Sequence, residues 1–144
     1  MARFGKVDYK QFQKLQKRLQ EFDKLDREKI CEDSAKELGR SLIARVRKKT
    51  PVGRYPASSG KTGGTLRRGW DTEQYPIHEG YQVDVFNDVK YAAYVEFGHR
   101  TRGHKGWVAG KHMLTRSEIE VERNTTKVIN KHMDKALRGL FDDK

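Results

Sequence analysis

Apolar residues recur at helical spacing in three parts of the chain, and each part predicts a helix. The first helix is predicted to begin at Asp8, a capping residue with Gln11 at the partner position of a capping box. A second is expected from about Arg27 to Lys49, where Pro51 ends it because a proline restricts the backbone of the preceding residue. A third is expected from about Lys111 to Phe141. The apolar positions of the first helix are Phe12, Leu15, Leu19 and Phe22.

The third predicted helix is long for a chain of 144 residues. At 1.5 Å per residue it extends about 45 Å, which is more than a domain of this size can bury along its whole length. We therefore expect either a contact with another subunit or a kink near residues 124–126.

Between the second and third helices, apolar and polar residues alternate, and this period of two predicts strands. Leu66–Thr72 is predicted as the first strand, and Tyr75–His78 as a second, short one that leads into a turn at Glu79-Gly80. Tyr81–Val85 shows the clearest alternation, and Asn87-Asp88 ends it. The result is an antiparallel meander of about three strands, which needs a helix packed on one face to be stable.

The segment Tyr91–Phe97 fits a short helical turn ended by Gly98, and it fits a strand equally well, so the pattern leaves its conformation open. Gly98–Gly110 contains four glycines, three Lys or Arg, two His and no acid, which predicts a flexible basic loop. A second flexible loop is expected at Val52–Thr65, which is rich in Gly and longer than most connections.

Together these elements predict an α+β fold. We expect a small antiparallel sheet of about three to four strands, packed on one face by the Arg27–Lys49 helix and by the long carboxy-terminal helix. Trp70 is expected to pack in the core or on the face of the sheet and not to serve as a binding platform. Residues 1–144 are expected to form a single domain, with residues 1–25 as a peripheral amino-terminal helix and residues 26–144 as the α+β core.

The net charge of +11 is unevenly distributed along the chain. Residues 39–70 contain nine Lys or Arg and no acid, and residues 97–117 contain five and no acid, whereas residues 73–96 contain five acids and one Lys. Such a pattern fits a soluble surface whose counter-charges lie on neighbouring subunits, or a contact with nucleic acid or an acidic ring. Trp107 and Val108 lie inside the second basic segment, and apolar side chains in a solvated loop suggest a partner surface.

No set of residues predicts catalysis, and we expect the protein not to be an enzyme. His99, His104 and His112 are close in sequence, but no cysteine or carboxylate completes a metal site with them. No phosphate-binding loop is complete either, so we expect neither a metal nor a cofactor. Glu96 precedes His99 by three positions, which favours a surface interaction between them over a general base. The single cysteine, Cys31, excludes an internal disulfide and fits a half-buried helix position in a protein made in a reducing cytoplasm.

Four segments follow one another in an order that resembles a known family. They are Thr50-Pro51-Val52, Leu66–Trp70, Tyr91–Gly98 and Val108–Leu114. Their order and spacing are similar to those of the small tail-completion or neck proteins of long-tailed bacteriophages, often described as minor tail components. The Ser- and Gly-rich insert Ala57–Gly64 departs from that pattern, since many members have a shorter turn there.

The resemblance implies a structural virion protein, made in the cytoplasm of a host bacterium, that completes the tail or joins it to the head at the neck. The implied partners are other phage neck and tail proteins and further copies of the chain in a ring, with phage DNA as a nonspecific contact and no membrane. The isolated chain is compatible with a monomer. The alternative is a nonspecific nucleic-acid-binding protein that uses residues 45–70 and 97–117. The residues expected to contact a partner or DNA are Arg54, Lys61, Arg67, Arg68, Arg100, Arg102, Lys105, Trp107, Val108 and Lys111.

Overall fold

The computed structural model describes residues 9–78 and 80–142 and, within them, all side chains except those of residues 9, 11, 12, 21–26 and 140–142. The predicted cap Asp8 and residue Glu79 of the predicted turn lie outside the described residues, as do the side chains of Phe12 and Phe22. The α+β fold class predicted from the sequence is confirmed.

A single helix, α1 (Tyr9–Lys49), stands where two helices were predicted. No glycine or proline occurs between residues 9 and 38, so nothing in the backbone interrupts it. Its 41 residues extend about 60 Å. The helix ends before Pro51, as predicted, and Thr50 closes its last turn by donating from its backbone N–H and its Oγ1 to the carbonyl of Val46, at 2.9 and 2.6 Å.

The strands form two separate antiparallel pairs instead of one sheet. β1 (Trp70–Ile77) pairs with β2 (Gly80–Asn87), and the stretch predicted as a second strand at residues 75–78 is the continuation of β1. β3 (Gly98–Arg100) pairs with β4 (Trp107–Ala109). The segment predicted as a flexible loop at Gly98–Gly110 therefore contains a paired ribbon.

The strand predicted from Leu66 begins only at Trp70. Residues Thr65–Arg68 form a short helix, α2, closed by hydrogen bonds from the N–H groups of Arg68 and Gly69 to carbonyls one turn earlier. Leu66 and Trp70 are both buried. They are four residues apart, a spacing that places two side chains on one face of a strand or of a helix, so the apolar pattern alone did not separate the two conformations.

The segment for which both conformations were open is a helix, α3 (Ala92–Phe97), and Gly98 ends it. The last helix, α4 (Met113–Asp142), has 30 residues. The predicted loop at residues 52–65 contains a single 3-10 turn at Ala57–Ser59 and otherwise connects α1 to α2.

The core lies where the carboxyl end of α1, α2, the start of β1 and the first turn of α4 meet. Trp70 is buried, as predicted, and its indole N–H donates to Thr50 Oγ1 at 2.8 Å. Cys31 is half-buried on α1, also as predicted. The buried core residues are Val46, Leu66, Trp70 and Met113, and Ile43, Val85, Val89, Ala92, Val95 and Leu114 pack against them.

Helix α1 supports both the β1–β2 sheet and helix α4. The β1–β2 sheet packs on it at Gly39, where a Cβ would lie 3.0 Å from both Gln74 Nε2 and Val83 Cγ1. Helix α4 packs along α1, and Glu37 of α1 accepts hydrogen bonds from Lys131 and pairs with His132 of α4. Part of the length of α4 is thus covered by α1, a second long helix of the same chain.

Candidate docking surface

Glu96 of α3 is buried, with 4% of its surface exposed, and it holds the first turn of α4. Its carboxylate accepts hydrogen bonds from the backbone N–H of Leu114 and of Thr115, both at 3.0 Å, and from the Thr115 hydroxyl at 2.9 Å. A helix leaves its first N–H groups without partners and carries partial positive charge at that end, so a carboxylate there stabilises it. Glu96 is therefore a capping residue for α4, and the surface interaction predicted with His99 is wrong.

The pKa of Glu96 reflects this position. Burial acts to raise it, but the hydrogen bonds from Thr115, Leu114 and Met113 outweigh burial and hold the pKa below the ordinary value of 4.5. The carboxylate is thus kept charged at neutral pH. No proton-transfer role follows, because all of its close partners are backbone groups and one hydroxyl of α4.

The basic ribbon, residues 98–110, is fixed to α3 at both of its ends. The N–H of Lys111 donates to the carbonyl of Val95 at 2.8 Å, and the N–H of His112 donates to that of Glu96 at 3.1 Å. A Cβ at Gly110 would lie 2.2 Å from the Glu96 carbonyl oxygen, so only glycine fits there. Gly98 has φ +89°, and a Cβ on it would lie 2.5 Å from the carbonyl oxygen of Val108.

The tip of the basic ribbon is also held by hydrogen bonds. Thr101 N–H donates to the Gly106 carbonyl at 3.0 Å, and Gly106 N–H donates back to Thr101 Oγ1 at 3.1 Å. His104 N–H donates to the Thr101 carbonyl at 2.8 Å. Hydrogen bonds therefore fix the backbone of the ribbon, and its side chains are presented at defined positions.

An aromatic surface covers α3 and the adjacent basic ribbon. Tyr91, which directly precedes α3, and Tyr94 and Phe97 of α3 recur every third residue and are 47%, 60% and 65% exposed. Ala92 and Val95 between them pack against the core. On the ribbon, Trp107 is 62% exposed and its indole nitrogen lies over Gly98. Apolar groups of this size gathered on one surface are typical of a contact with another macromolecule. This aromatic surface comprises Tyr91, Tyr94, Phe97, Trp107 and Val108.

The cations of residues 97–117 lie on the basic ribbon, directly after it and on the first turn of α4. All five are exposed, and none of their side chains forms a hydrogen bond or an ion pair with another described residue. His99 lies among them, with its ring edge-on to Tyr94 at 5.9 Å between ring centroids. The five cations are Arg100, Arg102, Lys105, Lys111 and Arg116.

Several cations of residues 45–70 act inside the fold. Arg45 and Lys49 both donate to Glu120 Oε2, at 2.7 and 2.9 Å, and join α1 to α4. Arg67 donates from Nε and Nη2 to the carbonyl of Thr50, at 3.2 and 2.8 Å, and Arg47 donates to the Trp70 carbonyl at 2.6 Å. These four side chains therefore join the carboxyl end of α1 to α4, to α2 and to the start of β1.

The predicted contact residues therefore fall into two groups. In the first basic segment, Arg67 is structural and Arg68 Nη1 donates to the Gly63 carbonyl at 3.2 Å. Lys61 lies 5.8 Å from the centre of the Tyr55 ring, and Arg54 is exposed on the same loop. The second group, on and beside the basic ribbon, stands together with the aromatic surface: Arg100, Arg102, Lys105, Trp107, Val108 and Lys111.

Sequence reasoning missed two parts of this surface. The exposed face of α3 was signalled by the three-residue spacing of Tyr91, Tyr94 and Phe97, but only if the segment was taken as a helix. The capping role of Glu96 had no local signal, because its partners are 18 and 19 positions away.

Within residues 9–78 and 80–142, no three His, Cys, Asp or Glu side chains are gathered as a metal site. His99, His104 and His112 are thus not brought together with a carboxylate. In the same residues, no helix combines the length and apolar character that a membrane crossing requires.

Comparison with protein families matches residues 13–98 to the model described as "Bacteriophage HK97-gp10, putative tail-component". The match extends over more than half of the chain and includes α1 from Gln13 onward, the β1–β2 sheet and α3. The chain belongs to this family, and it is a tail-related structural protein of a bacteriophage, with the virion as its place of action. No curated protein and no solved structure matched the chain.

Proposed function

We propose that this tail-related protein completes the tail or joins it to the head at the neck, as one subunit of a ring. The observation that carries the proposal is the aromatic surface beside a basic ribbon that is already built in the single chain. A surface that is ordered before docking loses less conformational entropy when it binds, which favours a stable assembly contact. Further copies of the chain in the ring and other neck and tail proteins of the phage are the partners in this proposal.

Trp107 is the predicted anchor of the contact. Large aromatic side chains at the centre of an interface contribute most of its binding energy. In a phage lacking the gene, complementation with the Trp107→Ala chain should lower the yield of infective particles at least about tenfold. The isolated variant should unfold at the wild-type temperature, because Trp107 is mostly exposed.

Tyr55→Ala is the matched control. Tyr55 is 51% exposed on the loop that carries Arg54 and Lys61. The substitution therefore removes an exposed aromatic side chain that lies near other cations. We expect it to complement normally. Normal particle yield from the Trp107→Ala chain would contradict the proposed anchor.

Nonspecific nucleic-acid binding is the second candidate function, and the outward cations of the basic ribbon are the observation in its favour. It requires the chain to retain duplex DNA with a steep dependence on salt. The cations of residues 45–70 contribute less to it, since Arg45, Arg47, Lys49 and Arg67 have partners inside the fold.

A further inference from the structure

The β1–β2 sheet has one face on α1 and one face directed outward. Trp70, Thr72 and Gln74 alternate with the outward positions of β1, and the last two lie against Gly39 of α1. The register places Asp71 opposite Phe86, Glu73 opposite Asp84, and Tyr75 opposite Gln82. The outward face therefore consists of Asp71, Glu73, Tyr75, Ile77, Gln82, Asp84 and Phe86.

This outward face carries uncompensated negative charge. Glu73 of β1 and Asp84 of β2 are direct cross-strand partners. Asp71 lies on β1, two residues before Glu73. Like charges directly opposite each other destabilise a strand pair. Among the described residues, no Lys or Arg forms an ion pair with any of the three acids.

Asp84 is held in its charged form by its neighbours. Tyr75 donates to Asp84 Oδ2 at 2.6 Å, and Gln82 donates to Asp84 Oδ1 at 2.9 Å. The hydrogen bond from Tyr75, with that from Gln82, lowers the pKa of Asp84 below its ordinary value. Asp84 is therefore charged at neutral pH on the outward face of the sheet.

Apolar side chains accompany these acids. Tyr75 is 39% exposed and Ile77 is 49% exposed, and Phe86 is half-buried beside Asp71. The outward face thus combines exposed apolar groups with acids, while the basic ribbon combines exposed apolar groups with cations. Within the described residues, no hydrogen bond or ion pair joins the two surfaces. The acids of the outward face and the cations of the ribbon therefore do not pair within one chain.

We propose that the basic ribbon of one copy docks on the outward face of the β1–β2 sheet of a second copy. The cations Arg100, Arg102 and Lys105 meet Asp71, Glu73 and Asp84, and Trp107 and Val108 cover Tyr75 and Ile77. This rests on the proposed function, because it supplies the contact between ring subunits. The two surfaces differ, so the contact is head-to-tail, and repetition closes a ring or extends a filament.

The charge pattern favours a second copy over DNA as the occupant of the ribbon. A DNA backbone would neutralise the cations but would leave the acids of the outward face without a cationic partner and offer no apolar surface to Val108. The outward face of a neighbouring sheet supplies acids for the cations, receives cations for its own acids, and offers an apolar surface to Val108. Complementary charge across such a contact also selects the partner and its orientation.

Charge exchange tests the proposal. The ribbon variant is Arg100→Glu with Arg102→Glu, and the sheet variant is Asp71→Lys with Glu73→Lys. Self-association is measured by sedimentation velocity and by amide chemical-shift titration of the full chain, in low and in moderate salt. Each variant alone should associate at least about tenfold more weakly than wild type.

The mixture of the two variants gives the decisive result. The acidic ribbon of one variant fits the basic sheet of the other, and the unchanged ribbon and sheet also fit each other, so mixing should restore association. A chain carrying all four changes should associate as well. Arg54→Glu with Lys61→Glu, the matched control on the other loop, should leave association unchanged.

The proposal is overturned if the mixture associates no better than either variant alone, or if wild type shows no association or shift change up to its solubility limit. It is also overturned if the ribbon variant loses duplex DNA while its self-association is unchanged. Failure here leaves the assembly role open, because the Trp107→Ala complementation assay measures the yield of infective particles whichever partner the ribbon contacts.

Discussion

Residues 45–70 and 97–117 are both rich in Lys and Arg and contain no acid, yet their cations have different surroundings. In the first segment, Arg45 and Lys49 pair with Glu120 and Arg67 donates to the Thr50 carbonyl. In the second, all five cations are exposed, and Arg100, Arg102 and Lys105 share the basic ribbon with the exposed Trp107. Net charge alone therefore does not distinguish the two segments, whereas the internal hydrogen bonds of Arg45, Lys49 and Arg67 do.

The second segment can display its cations because its backbone is held elsewhere. Gly98 and Gly110 allow the basic ribbon to lie against the end of α3, and Glu96 fixes the start of α4 beneath it. The display surface and its support are thus separate groups of residues.

The largest effect is expected from Gly110→Ala. A Cβ at this position would lie 2.2 Å from the Glu96 carbonyl oxygen, so the ribbon or α3 must shift. We expect a loss of about 3 kcal/mol in the free energy of unfolding, measured by denaturant titration. Gly103→Ala is the control, because a Cβ there meets no atom within 4 Å. Equal stability of the two variants would contradict the tight junction.

Glu96→Gln should cost about 2 kcal/mol at neutral pH, because the charged cap of α4 is lost. The folded pKa of Glu96 lies below 4.5, so its contribution is present above that pH and is lost as pH falls toward the folded value. The difference between wild type and variant should therefore shrink in acid. Unfolding curves measured across pH check this, with Glu118→Gln as the control. If the free energies of unfolding of wild type and Glu96→Gln differ by the same amount at every pH, Glu96 does not act as a charged cap.

Paired substitutions of arginine by methionine compare the two basic segments directly. Arg67→Met removes two hydrogen bonds to the Thr50 carbonyl and should lower stability by about 1 kcal/mol. Arg100→Met removes no internal bond and should change stability by less than about 0.5 kcal/mol. Thermal or denaturant unfolding of the two chains measures the difference. A larger loss from Arg100→Met would reverse the comparison.

The smallest effect is expected from Glu73→Gln, which removes the like charge opposite Asp84. The isolated chain should become more stable by about 0.2–1 kcal/mol in low salt, and the gain should fall as salt screens the pair. Glu122→Gln, on the exposed surface of α4, is the control. A loss of stability in Glu73→Gln would show that the pair is not repulsive.

The sequence predicted the parts of the fold that have a local signal. Alternation identified β2, the aromatic character of Trp70 indicated the core, and Pro51 marked the end of α1. The division of α1 into two helices was wrong because nothing between residues 9 and 38 breaks a helix. Leu66 was assigned to a strand because a spacing of four from Trp70 suits either conformation.

The candidate surface was predicted only in part, for a physical reason. Trp107 and Val108 stood out because apolar side chains in a basic segment are unusual. The pairing of β3 with β4, and the contact of Glu96 with α4, depend on residues that meet only in the folded chain. The same holds for the acidic outward face, which requires the strand register.

The central claim is that the basic ribbon and its aromatic surface become buried on assembly while the loop carrying Tyr55 does not. Hydroxyl-radical footprinting of the isolated chain and of assembled phage particles tests it most directly, since it reads side-chain exposure without mutation. We predict that Trp107 and Phe97 are protected in the particle and that Tyr55 is oxidised equally in both states. Equal oxidation of Trp107 in the particle and in the isolated chain would contradict the account.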